Sequence, residues 1–297
     1  MNTIQIIGAL ELGLIYGFVA IGVYLSLRIL DFPDLSVDGT FPLGAATCAA
    51  LIVAGIHPLL ATIAAMLLGA IAGLVTAWLS THLRFLNLLS GILVMTALYS
   101  INLRIMQRPN IPLLGEETIF EIFFQSLKAP LGFFWRVLPI LALIILLVIA
   151  LNRFLKTNIG LALRATGNNA RMARAQGIND KAMISLGLSL SNSFVALGGA
   201  IFAQVSGYAD VSMGVGTIVV GLAAVIIGEA IIPIRKISHA IIACVIGAIV
   251  YRFVIATALN IGGSLLQASD LNLVTSILVG IAMLLPDLKK QLRTKND

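Results

Sequence analysis

Phe18-Val19-Ala20-Ile21-Gly22 returns later in the chain as Phe194-Val195-Ala196-Leu197-Gly198, and Asp34-Leu35-Ser36 returns in the same register as Asp210-Val211-Ser212. Gly69-Ala70-Ile71 comes back as Gly247-Ala248-Ile249. Leu86-Asn87-Leu88 with Ile92-Leu93-Val94 comes back as Leu271-Asn272-Leu273 with Ile277-Leu278-Val279. The stretch from Leu12 to Leu103 is therefore written a second time from Leu188 to Leu288. A unit this long exceeds the roughly 20–50 residues of a solenoid repeat, so the chain holds two copies of a larger half.

Composition identifies the solvent of those halves. The 297 residues are 59% hydrophobic and 11% charged, with a mean hydropathy of +1.04, against about 25% charged for a soluble domain. Apolar runs of roughly 17–25 residues, long enough to cross hydrocarbon, recur along the whole length. The reading is an all-α polytopic membrane protein. The net charge of +6 gathers in short loops and tails, where it sets orientation and does not indicate a nucleic-acid partner. Cys48 and Cys244 both fall inside apolar runs, which leaves a disulfide framework or a zinc site without support. Met1 to Gln5 carries no Lys or Arg and no small-residue cleavage signal follows, so the first span is expected to persist in the mature protein.

About nine transmembrane helices are expected, at 4–28, 38–56, 59–81, 87–106, 132–154, 183–206, 213–232, 237–259 and 268–286. Repeat one covers 4–106, and a linker with Pro109, Pro112, Pro130 and three glutamates covers 107–131. Part of that linker, near Phe120 to Leu127, suits a short interfacial helix. A linking span at 132–154 and a basic loop at 155–181 lead into repeat two at 183–288. The segment 153–181 has Arg153, Lys156, Arg164, Arg171, Arg174 and Lys181 against Asp180 alone, which makes it cytoplasmic. Lys289, Lys290, Arg293 and Lys295 place the C-terminus on that side too, and the N-terminus outside. Four spans, one linking span and four spans make two inverted-topology repeats, an arrangement that puts a transport pathway at the repeat interface. A re-entrant hairpin at 31–56, suggested by Asp31, Pro33, Asp34 and Asp38, is the alternative, and it would reverse one end.

No enzyme constellation emerges. His57, His82 and His239 sit near span ends, and Gly214-Val215-Gly216 with Gly221 opens a membrane span without the preceding strand of a nucleotide loop. With no Walker sequence, the chain is expected to bind no cofactor, and ATP, if used, belongs to a partner subunit. The informative polar stretch is Gly160 to Asp180. Asn168 or Asn169 suits the start of a short helix and Gly177 its end. A bare orientation signal would not need start and stop residues, so the stretch reads as a docking helix for a cytoplasmic partner.

Gly160 to Asp180 is similar to the ATPase-coupling loop of ABC-transporter permeases of the branched-chain amino acid and ribose superfamily. Leu30 to Phe41 and Leu86 to Arg104 resemble the subgroup described as tryptophan/tyrosine-type permeases. The resemblance covers nearly the whole chain. It implies a homodimer in the bacterial inner (plasma) membrane, a cytoplasmic ABC ATPase subunit beneath it and an extracytoplasmic substrate-binding protein above. It also implies that Arg164, Gly167, Asn168, Asn169, Arg171, Arg174 and Gly177 form the coupling loop. The function that follows is import of a small solute, an amino acid with an aromatic one as the lead, by alternating access driven by that ATPase.

Polar groups inside spans are costly unless paired or facing a cavity, so they are the pathway candidates. Asp34, Ser36, Asp38 and Thr40 form the densest set, as substrate contacts or as caps of a broken helix start. Asp210 and Ser212 are their repeat partners. Asn87 suits an interhelical hydrogen bond. Arg252 suits a substrate carboxylate, a pairing with Glu11 or Asp270, or snorkelling. If the acids carry ions instead, the chain is an ion-coupled secondary transporter, which also uses inverted repeats.

Overall fold

The computed structural model describes residues 3–122, 137–233, 236–261 and 280. Ten helices and a two-stranded ribbon account for most of them. The helices are α1 (Thr3–Tyr24), α2 (Val37–Val53), α3 (Pro58–Thr81), α4 (Asn87–Met106), α5 (Val137–Phe154), α6 (Asn158–Asn168), α7 (Ala170–Ala175), α8 (Asp180–Ser206), α9 (Thr217–Ile231) and α10 (Ile237–Ile261). A π-helical turn, Leu25–Ile29, prolongs α1. Strands β1 (Asn110–Pro112) and β2 (Tyr208–Asp210) pair antiparallel, with Ile111 opposite Ala209.

Six of the helices are long and apolar enough to cross a membrane: α1 with its π turn, α3, α4, α5, α8 and α10. At 1.5 Å per residue the 27 residues of α8 reach about 40 Å, beyond the roughly 30 Å of a hydrocarbon core. The 17 residues of α2 and the 15 of α9 reach only about 25 and 22 Å. Each of the first eight expected spans overlaps one of these helices, with boundaries that differ by up to five residues. The expected span at 268–286 lies outside the described residues, as does most of the interfacial helix placed near Phe120 to Leu127. A helical turn at 119–122 is described there. It opens on a capping box in which Thr118 N–H donates to Glu121 Oε2 (3.2 Å) and Glu121 N–H to Thr118 Oγ1 (3.4 Å).

Local chemistry sets the boundaries. Pro58 opens α3, its missing N–H costing nothing at the first helical position, while the His57 ring accepts from Leu59 N–H. Gly207, at φ +76, closes α8. The segment 30–36 between the π turn and α2 is not helical. The 31–56 region therefore combines a non-helical approach with α2, whose 17 residues stand at the lower limit for crossing hydrocarbon.

Packing is crosswise between the two halves. α3 lies along α8, and α10 lies along α1. α2 adds to the α8 face and α9 to the α1 face. Glycines let some of these helices approach closely. A Cβ on Gly73 would meet the Leu188 carbonyl at 2.2 Å, and one on Gly247 would meet the Ala224 carbonyl at 1.9 Å. The core runs through Leu14, Ile15, Phe18, Ile21 and Leu25 of α1 and its π turn, with Phe41 of α2 and Leu188 and Val195 of α8. Large apolar side chains of α3, α4 and α5, among them Leu67, Leu88 and Leu146, point outward, as lipid contact allows.

Candidate functional site

Asn192 lies near the middle of α8, about 18 Å from one end and 21 Å from the other by helical rise. Its side chain meets the extended segment that leads into α2. Asn192 Nδ2 donates to Asp34 Oδ2 at 2.7 Å. Asp34 Oδ1 accepts from Ser36 N–H at 2.9 Å and from Ser36 Oγ at 2.6 Å. Thr40 Oγ1 sits 2.7 Å from Asn192 Oδ1, which fixes the amide orientation, since the nitrogen already faces the carboxylate. Asp34, Ser36, Thr40 and Asn192 are each at most 1% exposed. A carboxylate at this depth is tolerable because three donors surround it. Three of the four densest sequence candidates are thus gathered, but around one another and Asn192. They form a polar joint between α2 and α8.

The fourth, Asp38, reaches the other way. Although it stands in the first turn of α2, its carboxylate accepts from Gly216 N–H (3.2 Å) and Ile218 N–H (2.7 Å) at the start of α9. It caps the partner helix and not its own, a favourable place for an acid at the positive end of a helix. Pro42 lacks the N–H that would bond the Asp38 carbonyl. Gly214 closes on that carbonyl so tightly that a Cβ there would lie 1.9 Å from it. The starts of the two short helices therefore touch near the level of mid-α8.

The remaining pathway candidates lie elsewhere. Asp210 and Ser212 reproduce the local Asp34–Ser36 contacts at the end of β2: Asp210 Oδ1 accepts from Ser212 N–H at 2.8 Å and from its hydroxyl, and Asp210 Oδ2 accepts from Asn110 at 3.2 Å. Partial burial raises the Asp210 carboxyl, but these bonds outweigh it and leave it below its ordinary 3.8. Asn87 makes the expected bond between helices, accepting from Ser80 Oγ at 2.6 Å, in an exposed position. Arg252 lays its guanidinium over the Tyr16 ring, 3.9 Å from the centroid. Its Nε is buried without a hydrogen-bond partner among the described residues. It also lines a cavity of about 370 Å³ with Gln5 and Asn260, whose side chains hydrogen-bond at 2.9 Å. Asp270, one of the partners weighed for Arg252, lies outside the described residues.

The basic segment folds as two helices where one was expected: the expected helix, started at Asn169, is α7, and α6 precedes it with Thr157 at its start. Thr157 Oγ1 accepts from Gly160 N–H at the head of α6, and Asn168 is the last residue of α6. Asn169 then caps α7 through Met172 N–H at 3.0 Å, and Gly177, at φ +80, turns the chain toward α8. Arg171 and Met172 are exposed on this elbow, while Arg174 Nε lies 3.6 Å from Asp180. Gly167 faces inward: a Cβ would sit 1.9 Å from the Ile29 carbonyl. Arg164 lines a cavity beside the π turn.

Asn192 and Gln204 went unread in the sequence. Gln204 Nε2 donates to Thr62 Oγ1 at 2.9 Å, and its Oε1 accepts from Ile119 N–H at 3.0 Å, tying α8 to α3 and to the turn at 119–122. The signal was available as polar residues within an apolar span. In the repeat register Asn192 aligns with Tyr16, so the two copies place different polar groups at one position.

Residues 5–285 match the family described as branched-chain amino acid transport system / permease component. The chain is 40% identical to a tyrosine transport system permease protein of Clostridioides difficile, over 92% of this chain and 88% of that one. It is 38% identical to an uncharacterised protein of Rickettsia prowazekii, over 94% and 96% of the two chains. A nucleoside ABC transporter permease of Lactococcus lactis is 39% identical over 40% of this chain and 36% of its own length. No solved structure matches. The chain belongs to this permease family. It is a multi-pass membrane permease component of an ABC-type transport system.

Proposed function

We propose that this permease is the membrane subunit of a binding-protein-dependent importer for an amino acid, with tyrosine or a similar aromatic solute as the first candidate. The single observation that carries the transport reading is the meeting of the α2 and α9 N-termini at mid-depth, locked by Asp38 on the first amides of α9. The solute class rests on the tyrosine permease of Clostridioides difficile, which resembles this chain over nearly its full length. The crosswise packing of α3 on α8 and of α10 on α1 supports two inverted repeats of four spans joined by α5. The nine-span, N-out and C-in arrangement then keeps Arg28, Arg84 and the α6–α7 elbow on the cytoplasmic side.

In this reading a separate ATPase subunit docks on the elbow at Arg171 and Met172. Its closure pulls on α6, which is seated on the π turn through Gly167. That motion separates the α2 and α9 starts and opens the pathway to the other side. A second copy of the chain completes the permease, a binding protein delivers solute from outside, and ATP binds only on the partner.

Reconstitution tests the reading directly. Liposomes holding the permease, its ATPase and its binding protein should accumulate labelled tyrosine only with internal ATP. The permease alone should neither hydrolyse ATP nor accumulate solute in an ion gradient. Accumulation by the permease alone in such a gradient would replace the proposal with ion-coupled transport.

A further inference from the structure

The π turn, α6 and the start of α10 enclose a cavity of about 670 Å³ lined by Tyr24, Arg28, Asp31, Arg164 and Asn168, among others. That is within the size range of small-molecule sites. Its charges are not all consumed by the fold. Arg28 forms an ion pair with Glu229 of α9, whereas neither Arg164 nor Asp31 has an ion-pair partner among the described residues. The Arg164 guanidinium and the Asp31 carboxylate, without ion-pair partners among the described residues, line the same cavity and match a zwitterion, the guanidinium taking a carboxylate and the carboxylate an ammonium. Asp31 is held at φ +53, a conformation that costs a non-glycine residue free energy and that concentrates at ligand and switch sites. The π turn beside it is another such mark. Asn168 ends α6, one residue before the cap of α7, so the cavity adjoins the elbow.

We propose that this cavity binds the zwitterionic head of the transported amino acid from the cytoplasmic side and slows further import. The ligand class rests on the importer reading given above. A solute bridging Arg164 of α6 and Asp31 beyond the π turn braces the elbow against α1 in one arrangement. A ligand that favours one arrangement over the other shifts the transport cycle by its differential affinity alone. Accumulated product then limits its own entry without any domain added to the ATPase.

The test uses the complete complex in ATP-loaded liposomes, comparing initial uptake of labelled tyrosine with and without millimolar tyrosine in the lumen. Luminal tyrosine should slow the native complex by about fivefold or more, at the low end of ordinary allosteric coupling. Asp31→Asn should import at the native rate into tyrosine-free liposomes and lose the slowing, since Asn tolerates the same backbone conformation. With the native complex, luminal tyramine, which lacks the carboxylate, should not slow uptake. Equal slowing by tyramine, equal slowing in Asp31→Asn, or native uptake that luminal tyrosine leaves unchanged would each overturn the proposal. Failure of the complex to import any amino acid would instead overturn the importer reading, and the ligand class with it.

Discussion

Asp34-Leu35-Ser36 and Asp210-Val211-Ser212 are the same turn built twice. In each, Oδ1 of the acid accepts from the backbone and hydroxyl of the serine two residues on, and Oδ2 accepts from a distant asparagine. What surrounds them differs. Asp34 and Ser36 are sealed at mid-depth against α8, whereas Ser212 is exposed and Asp210 only half-buried beside the β1–β2 ribbon. Identical hydrogen-bond lists therefore carry different weights. Water replaces a lost donor at Asp210, and nothing replaces one at Asp34. Energetic weight here comes from depth, not from the motif.

Cutting the asparagine from each turn is the hardest test of that contrast. Asn192→Leu should cost about 3 kcal/mol or more by stranding a buried carboxylate. Asn110→Leu should cost under about 1 kcal/mol, as for other exposed polar pairs. Thermal unfolding of the detergent-purified permease measures both, and equal losses would break the comparison.

Gly214→Ala probes the contact between the short helices. A Cβ 1.9 Å from the Asp38 carbonyl forces backbone movement and should cost about 1–3 kcal/mol, the usual range for overpacking. The same change at Gly115, where a Cβ meets nothing within 4 Å although φ is +88, leaves only backbone strain, on the order of 1 kcal/mol. Asp38→Asn is milder. It keeps an oxygen for Ile218 N–H but loses the charge at the α9 N-terminus, for an expected loss of about 0.5–2 kcal/mol. Reconstituted uptake should fall more than stability does, because the substitution falls where the two short helices meet.

Acidification has the smallest expected effect. The Asp210 carboxyl is held below its ordinary 3.8, so its contribution is complete above that value and is lost as pH falls through the lowered one. Protection of the Ser212 amide against hydrogen exchange should weaken only under such acid. Loss of protection near neutral pH would contradict the assignment.

Much of this was legible in the residues. Periodicity and apolar length placed Asn87–Met106 to the residue, and Gly177 announced the end of α7, because both signals are local. Asn169 was legible as the start of α7, while α6 before it was missed because Thr157 was overlooked as a cap. Asp34, Ser36 and Thr40 were recognised as a polar cluster, yet their common partner, Asn192, was not, since nothing local ties position 34 to position 192. Asp38 was read as a substrate contact or as a cap at its own helix start. Its carboxylate instead crosses to α9, where unpaired amides face it.

By itself, the sequence determined that the chain is membranous, where most of its described helices begin and end, and which loops carry positive charge. Those properties follow from hydropathy and capping along the chain. Only the tertiary structure decided that the repeat-aligned positions 38 and 214 touch each other. The Asp38 carbonyl leaves no room for a Cβ at 214, so that position takes Gly. It also decided which of two like turns is buried, because burial depends on which distant helix closes over a segment.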